Sequence, residues 1–152
     1  MNRLQHTKLV SITPPAAIKD NAAWTTGEID TKDWDWLTII CYLGATDIAI
    51  ALLKVQESNT SGSGFADVTG LVMGTSTNID GATSALPSAT DDNTFQVFEI
   101  DLRNRKRYID LSATAGDGTT GTFFAALGIL SRSKSLAPVS LAERGVNELL
   151  RV

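Results

Sequence analysis

The stretch FQVFEIDLRNRKRYIDLSATAGDGTTGTFFAALGIL, residues 95–130, decides the fold class. Apolar side chains recur with the two-residue period of β-strands at Phe98, Ile100 and Leu102, at Ile109 and Leu111, and at Phe123, Ala125, Leu127 and Ile129. A basic turn, Arg103-Asn104-Arg105-Lys106-Arg107, separates the first two runs. A glycine turn with Gly116, Gly118 and Gly121, which tolerate positive φ, separates the second and third. Three successive strands joined by two turns predict a β-meander. Its last strand is apolar on both parities, since Phe124, Ala126 and Leu130 fill the alternate positions, and this predicts a place at the centre of a sheet or at an interface.

Upstream, Trp36, Thr38, Ile40 and Tyr42 share one face of a strand while Leu37, Ile39, Cys41 and Leu43 share the other. A strand of this kind is covered on two sides, within a sandwich or by a neighbouring subunit. Residues 48–57 repeat the pattern after Gly44-Ala45-Thr46-Asp47. Ala, Leu, Lys and Glu in that run also suit a helix, but the short turn favours a hairpin. Residues 65–73 predict a weaker strand that Gly70 bulges or breaks. Residues 59–64 form a Ser/Gly loop, and residues 74–93 a long loop with Ile79 and Leu86 as its substantial apolar side chains. Loops of that length are usually functional or mobile.

At the N-terminal end, residues 9–12 have room for a short strand before Pro14-Pro15 imposes an extended path, so residues 1–21 are expected to form an arm. Residues 22–29 predict an edge strand whose Trp24 caps the core. The β domain spans residues 22–131. Residues 132–152 form a linker and a short helix, for which Ser140 and Glu143 have the spacing of a capping box and Ala142, Val146, Leu149 and Leu150 line one face. Gly145 within that helix costs up to about 1 kcal/mol relative to Ala. The fold class is mainly β: an antiparallel sandwich or barrel-like domain with an extended N-terminal arm and a short C-terminal helix.

Composition narrows function. The 152 residues suffice for one core without disulfides or a structural metal. A formal net charge of -4 and a pI near 4.9 argue against affinity built on phosphate neutralisation, so nucleic acid is not an expected partner. Cys41 is the only cysteine, which leaves no intrachain disulfide and no CxxC motif. The opening residues lack the apolar region of a secretory signal. The nearest approach to a membrane span, residues 37–55, contains Asp47, whose insertion costs roughly 3 kcal/mol, so no membrane association is expected.

Catalytic motifs are scarce. His6 is the only histidine and lies in the arm, away from any triad partner or metal ligand. Asp91, Asp92, Glu99, Asp101 and Asp110 offer carboxylates, but a glycosidase needs two facing across a cleft. Gly116-Asp117-Gly118 lacks the Lys-Ser/Thr of a phosphate loop and the acidic ladder of a calcium loop. No metal or cofactor is expected. Trp24, Trp34 and Trp36, set among apolar neighbours, fit a core better than a sugar-stacking surface. The basic turn keeps two readings open: a solvated end that blunts a strand edge, and a contact with an acidic partner protein through bidentate arginines.

Several segments carry a resemblance: Pro14-Pro15-Ala16-Ala17-Ile18-Lys19-Asp20-Asn21, Tyr42-Leu43-Gly44-Ala45-Thr46-Asp47-Ile48, Leu53-Lys54-Val55-Gln56-Glu57-Ser58, Leu86-Pro87-Ser88-Ala89-Thr90-Asp91-Asp92, Arg105-Lys106-Arg107-Tyr108, Ala115-Gly116-Asp117-Gly118 and Ala142-Glu143-Arg144-Gly145. Together they resemble a family of small tailed-phage and prophage virion proteins, similar to head auxiliary proteins. The resemblance implies a non-enzymatic, β-rich decoration or cement protein, often trimeric, on the capsid exterior. It implies the major capsid protein as partner and the virion as destination after synthesis in the host cytoplasm. Candidate contacts are Arg103, Arg105, Lys106 and Arg107, with Pro14 and Pro15 of the arm. The alternative is a tail or spike component binding a host glycan through its tryptophans; a hydrolase using Asp91 or Asp92 ranks third.

Overall fold

Residues 6–134 and 140–150 are described in a computed structural model of the chain, and its strands form two antiparallel four-stranded sheets. In chain order the strands are β1 (Thr7–Thr13), β2 (Ile29–Asp30), β3 (Trp34–Thr46), β4 (Leu52–Ser58), β5 (Ala66–Val72), β6 (Phe95–Asp101), β7 (Tyr108–Thr114) and β8 (Thr122–Ser133). The first sheet runs β1-β8-β3-β6 and the second β2-β7-β4-β5. The chain is therefore mainly β, as the alternation predicts.

Both sheets feed one core. Leu37, Ile39, Cys41 and Leu43 of β3 and Leu130 of β8 are fully buried with Leu53 and Val55 of β4 and Ile109 and Leu111 of β7. Each such aliphatic side chain contributes about 1.5–3 kcal/mol on burial. Trp24 lies in the same core with its ring 4.8 Å from that of Phe124, in keeping with a structural tryptophan.

The three strands of residues 95–130 are all present, yet they do not pair with one another. β6 and β8 flank β3 in the first sheet, while β7 lies in the second between β2 and β4. Both connecting turns cross between sheets, and the meander is replaced by two arches. The physical reason lies in what the turns bury. Leu102 opens a single 3₁₀ turn, Leu102–Asn104, and enters the core, drawing the chain across. At the other turn Gly116 and Gly118 press so closely on Ile48, Ala49 and Asp47 that a Cβ at either position would overlap them. The expected hairpin of residues 37–55 is likewise an arch, from β3 in one sheet to β4 in the other.

Two terminal expectations are also corrected. The short strand expected at residues 9–12 is present and longer, and it ties this part of the expected arm into the sheet: β1 pairs with β8 from Thr7↔Ser131 to Thr13↔Ala126. Further along, the Lys19 amide donates to Thr122 O, and the Asn21 amide to Gly116 O. No C-terminal helix forms among residues 140–150. Ser140 and Glu143 do make the capping box, with the Ser140 amide on Glu143 Oε2 at 3.0 Å and the Glu143 amide on Ser140 Oγ at 3.2 Å. One turn later Gly145, at φ +69°, ends it, with the Val146 amide donating to Leu141 O and the Gly145 amide to Ala142 O. Gly145 is thus the left-handed residue of a Schellman closure, not an interior helix residue.

Of the expected edge strand at residues 22–29, only Ile29–Asp30 and a lone bridge from Ala23 to Thr114 appear. The bulge at Gly70 is present: the register between β4 and β5 jumps between Lys54↔Val72 and Gln56↔Asp67, and Gly70 takes φ +88°. Residues 74–93 contain no strand, with Leu86 packed against the core and Ile79 fully exposed.

Candidate interaction surface

The arginines of the basic turn are engaged within the chain. Arg103 pairs with Asp101 through its Nε and Nη2 atoms. Arg107 makes a bidentate pair with Asp30, Nε to Oδ1 at 2.9 Å and Nη2 to Oδ2 at 2.7 Å, and its guanidinium lies 5.0 Å from the Tyr108 ring centre. Arg105 sits 3.6 Å from Glu57, which also accepts from the Lys106 amide. The Arg103 side chain holds the Asp101 carboxyl down at about 2, and hydrogen bonding to Arg107 lowers that of Asp30. The Arg107 and Arg105 pairs clip the arch to β2 and β4, and the Arg103 pair holds it to the end of β6. Much of the turn's positive charge is therefore offset within the chain, and Lys106 Nζ makes no ion pair among the described residues.

The glycine turn is filled from within as well. The Asp47 carboxylate accepts from the amides of Thr119, Thr120 and Gly121 at 2.6–2.9 Å, and those bonds, Thr120 and Thr119 foremost, lower its pKa. Asp20 accepts from the Gly118 amide at 2.7 Å. An anion-binding concavity of backbone amides is present here, and a side chain of the same protein occupies it.

The remaining candidates do not converge on a reaction centre. Asp91 accepts from the Ser88 amide and hydroxyl, Asp92 from the Thr46 amide, and Asp110 from the Thr26 hydroxyl. His6, Pro14 and Pro15 are exposed at opposite ends of β1. Among the described residues no group of His, Cys, Asp or Glu is arranged to hold a metal ion, and no helix is long and apolar enough to cross a membrane. Trp34 and Trp36 are half-buried.

A different surface stands out, the outward face of the β1-β8-β3-β6 sheet. The register places Leu127, Ile40 and Val97 in one row across β8, β3 and β6, with Ala125, Tyr42 and Phe95 in the next. Phe95 is 63% exposed, and Val97, Tyr42, Phe123 and Leu127 are each at least 40% exposed. The Tyr42 and Phe95 rings stack at 4.7 Å with 24° between their planes. Glu99 and Asp101 mark the polar margin on β6. Contiguous apolar surface of this kind, rimmed by polar groups, is a feature of interaction sites. Its signal in the sequence was the apolar content of both parities in residues 36–43 and 123–130: a sheet with one core-facing side leaves the second apolar set outside.

No family model, characterised protein or solved structure gives a significant match to this chain.

Proposed function

We propose that this protein is a structural virion protein that decorates and stabilises the exterior of a tailed-phage capsid through protein–protein contacts. In this reading the two sheets form a sandwich that presents its apolar outer face to neighbours, the major capsid protein or further copies of the chain. The observation that carries it is the exposed row Leu127, Ile40 and Val97 with the stacked Tyr42 and Phe95 beside it. The family resemblance supplies the capsid as the assembly that is decorated. A protein that binds only the assembled particle shifts the equilibrium towards assembly, so no catalytic group is required for its effect.

The contact surface moves accordingly from the basic turn to the sheet. Arg103, Arg105 and Arg107 keep their in-chain carboxylates, and Lys106 is the member of the turn left for an outside partner. The glycan-binding alternative loses Trp24 to the core and keeps the half-buried Trp34 and Trp36.

The test is co-sedimentation of purified protein with expanded capsids. Binding that weakens at least tenfold in Phe95→Ser or Leu127→Ser, with the fold intact by circular dichroism, supports the proposal. Absence of binding to capsids, together with absence of the protein from virions, overturns it.

A further inference from the structure

The edges of the two sheets are finished in different ways, and one is left open. β2 is two residues long, and β5 is broken by the bulge at Gly70. At the outer edge of β1 the Leu9 amide donates to the Arg144 carbonyl at 2.8 Å, with Val146 and Leu149 against Thr7 and Leu9. Short strands, bulges and covering segments are the usual means by which sheets avoid joining others. β6 has none of these. It is seven residues of regular strand without lysine or proline, and among the described residues β3 is its sole strand partner.

The register identifies the open groups. The Leu43 amide donates to Thr94 O at 3.0 Å, so Leu43 and Thr94 form a hydrogen-bonded pair. Antiparallel pairs alternate, which directs the amides and carbonyls of Gln96, Phe98 and Ile100 towards β3 and those of Phe95, Val97, Glu99 and the terminal Asp101 to the open edge. The pattern agrees with the opposite edge, where the outward Leu9 amide implies hydrogen bonds from β8 to Thr38, Ile40 and Tyr42 on the other side of β3. Outside the ladder with β3, no backbone hydrogen bond joins Phe95, Val97 or Glu99 to another segment among the described residues.

Side chains select the occupant. Asp101 ends the strand as the cap of the 3₁₀ turn, and the open trio before it, Phe95, Val97 and Glu99, is symmetric about Val97. We infer that β6 pairs antiparallel with β6 of a second copy about a two-fold axis at Val97, joining two four-stranded sheets edge to edge. In that register Val97 meets Val97 of the second copy, and each Glu99 lies opposite a Phe95. A two-fold axis at Glu99 would set like charges against each other, which is unfavourable across a strand pair. Asp101 is already held by Arg103. The pairing gives the amides and carbonyls of Phe95, Val97 and Glu99 in the two copies about six hydrogen bonds. The apolar row continues without a break, from Leu127, Ile40 and Val97 of one copy into Val97, Ile40 and Leu127 of the other.

Heterologous edge pairing into a ring would need a second open edge in the same sheet, and the C-terminal turn occupies that of β1. The isologous pair is therefore the closed solution. It stands apart from the capsid reading, because it concerns the free protein in solution.

Light scattering and sedimentation of the full chain across a concentration series test it, with hydrogen exchange read at single amides. A two-protomer mass, with exchange at Phe95, Val97 and Glu99 slowing as concentration rises, is the expected result. Val97→Pro removes an amide that β3 does not use, so the protomer keeps its circular dichroism while association weakens at least tenfold. Val97→Lys, which needs no change of backbone, gives the same loss and decides the matter if the proline variant does not fold. A monomer at every concentration, a three-protomer mass, or a dimer indifferent to Val97→Lys overturns the inference.

Discussion

The Leu9 amide lies 2.8 Å from the Arg144 carbonyl, and through that bond a segment more than a hundred residues downstream closes the edge of the first strand. Gly145 makes the approach feasible. At φ +69° it sits where other residues are strained, and a Cβ there would overlap the Leu9 carbonyl.

Gly145→Ala should therefore release the turn from β1. The left-handed conformation alone costs a non-glycine residue roughly 1–2 kcal/mol. Exchange at the Leu9 amide should quicken and the melting temperature fall by several degrees, while the spectrum of the β2-β7-β4-β5 sheet stays unchanged. Nuclear magnetic resonance of the variant checks both.

Asp47 predicts an acid limit to the glycine turn. Its folded pKa is lowered by the Thr120, Thr119 and Gly121 amides, so its contribution is present above the unfolded carboxylate range near pH 4 and is lost as pH falls through the lower folded value. Amide shifts of Thr119, Thr120 and Gly121 should titrate together below about pH 4. Asp47→Asn should lower the melting temperature at pH 7 and flatten that part of the acid limb; unchanged melting would contradict the role given to the carboxylate.

The arginine pairs predict very little for stability. Arg103 and Arg107 and their carboxylates are substantially exposed, and exposed pairs are screened by water and salt. Arg103→Ala and Arg107→Ala should leave the melting temperature within a degree or two of the parent. A large loss in either would mean that the arch depends on charge and not on Leu102.

Cys41 should be inert in the native state. Burial pushes its thiol up to about 12, so almost no thiolate is present at pH 8. Labelling by a thiol reagent should track unfolding and rise with denaturant. Ile39→Ala, two positions away in the same fully buried row, should cost about 2–5 kcal/mol in a denaturant melt.

Strand positions were legible in the sequence wherever alternation was clean, as in residues 36–43, 95–101 and 123–130. Pairing was not. Alternation assigns two faces to a strand but does not name its neighbour, and turn chemistry such as Gly44-Ala45-Thr46-Asp47 reads alike whether the chain returns to the same sheet or crosses to the other. The crossing is decided by contacts distant in sequence: Leu102 entering the core, and Asp47 reaching the amides beyond Gly118. The same gap hid the ion pairs of the basic turn. Arg103, Arg105 and Arg107 look like an unattended basic cluster until Asp101, Glu57 and Asp30 are brought beside them. At the C-terminal end the capping box was read correctly, and the length of the element was not, because Gly145 serves contact with Leu9.

The position of β8 between β1 and β3 sets a schedule for synthesis. β1 emerges from the ribosome first, but its partner strand is not complete until Ser133 has been added. Until then the nascent chain holds β1 without a mate and β3 with only β6 to pair with. A message cut short before Thr122 would leave the backbone edges of β1 and β3 that face β8 unpaired, making incomplete chains ready substrates for chaperones and proteases.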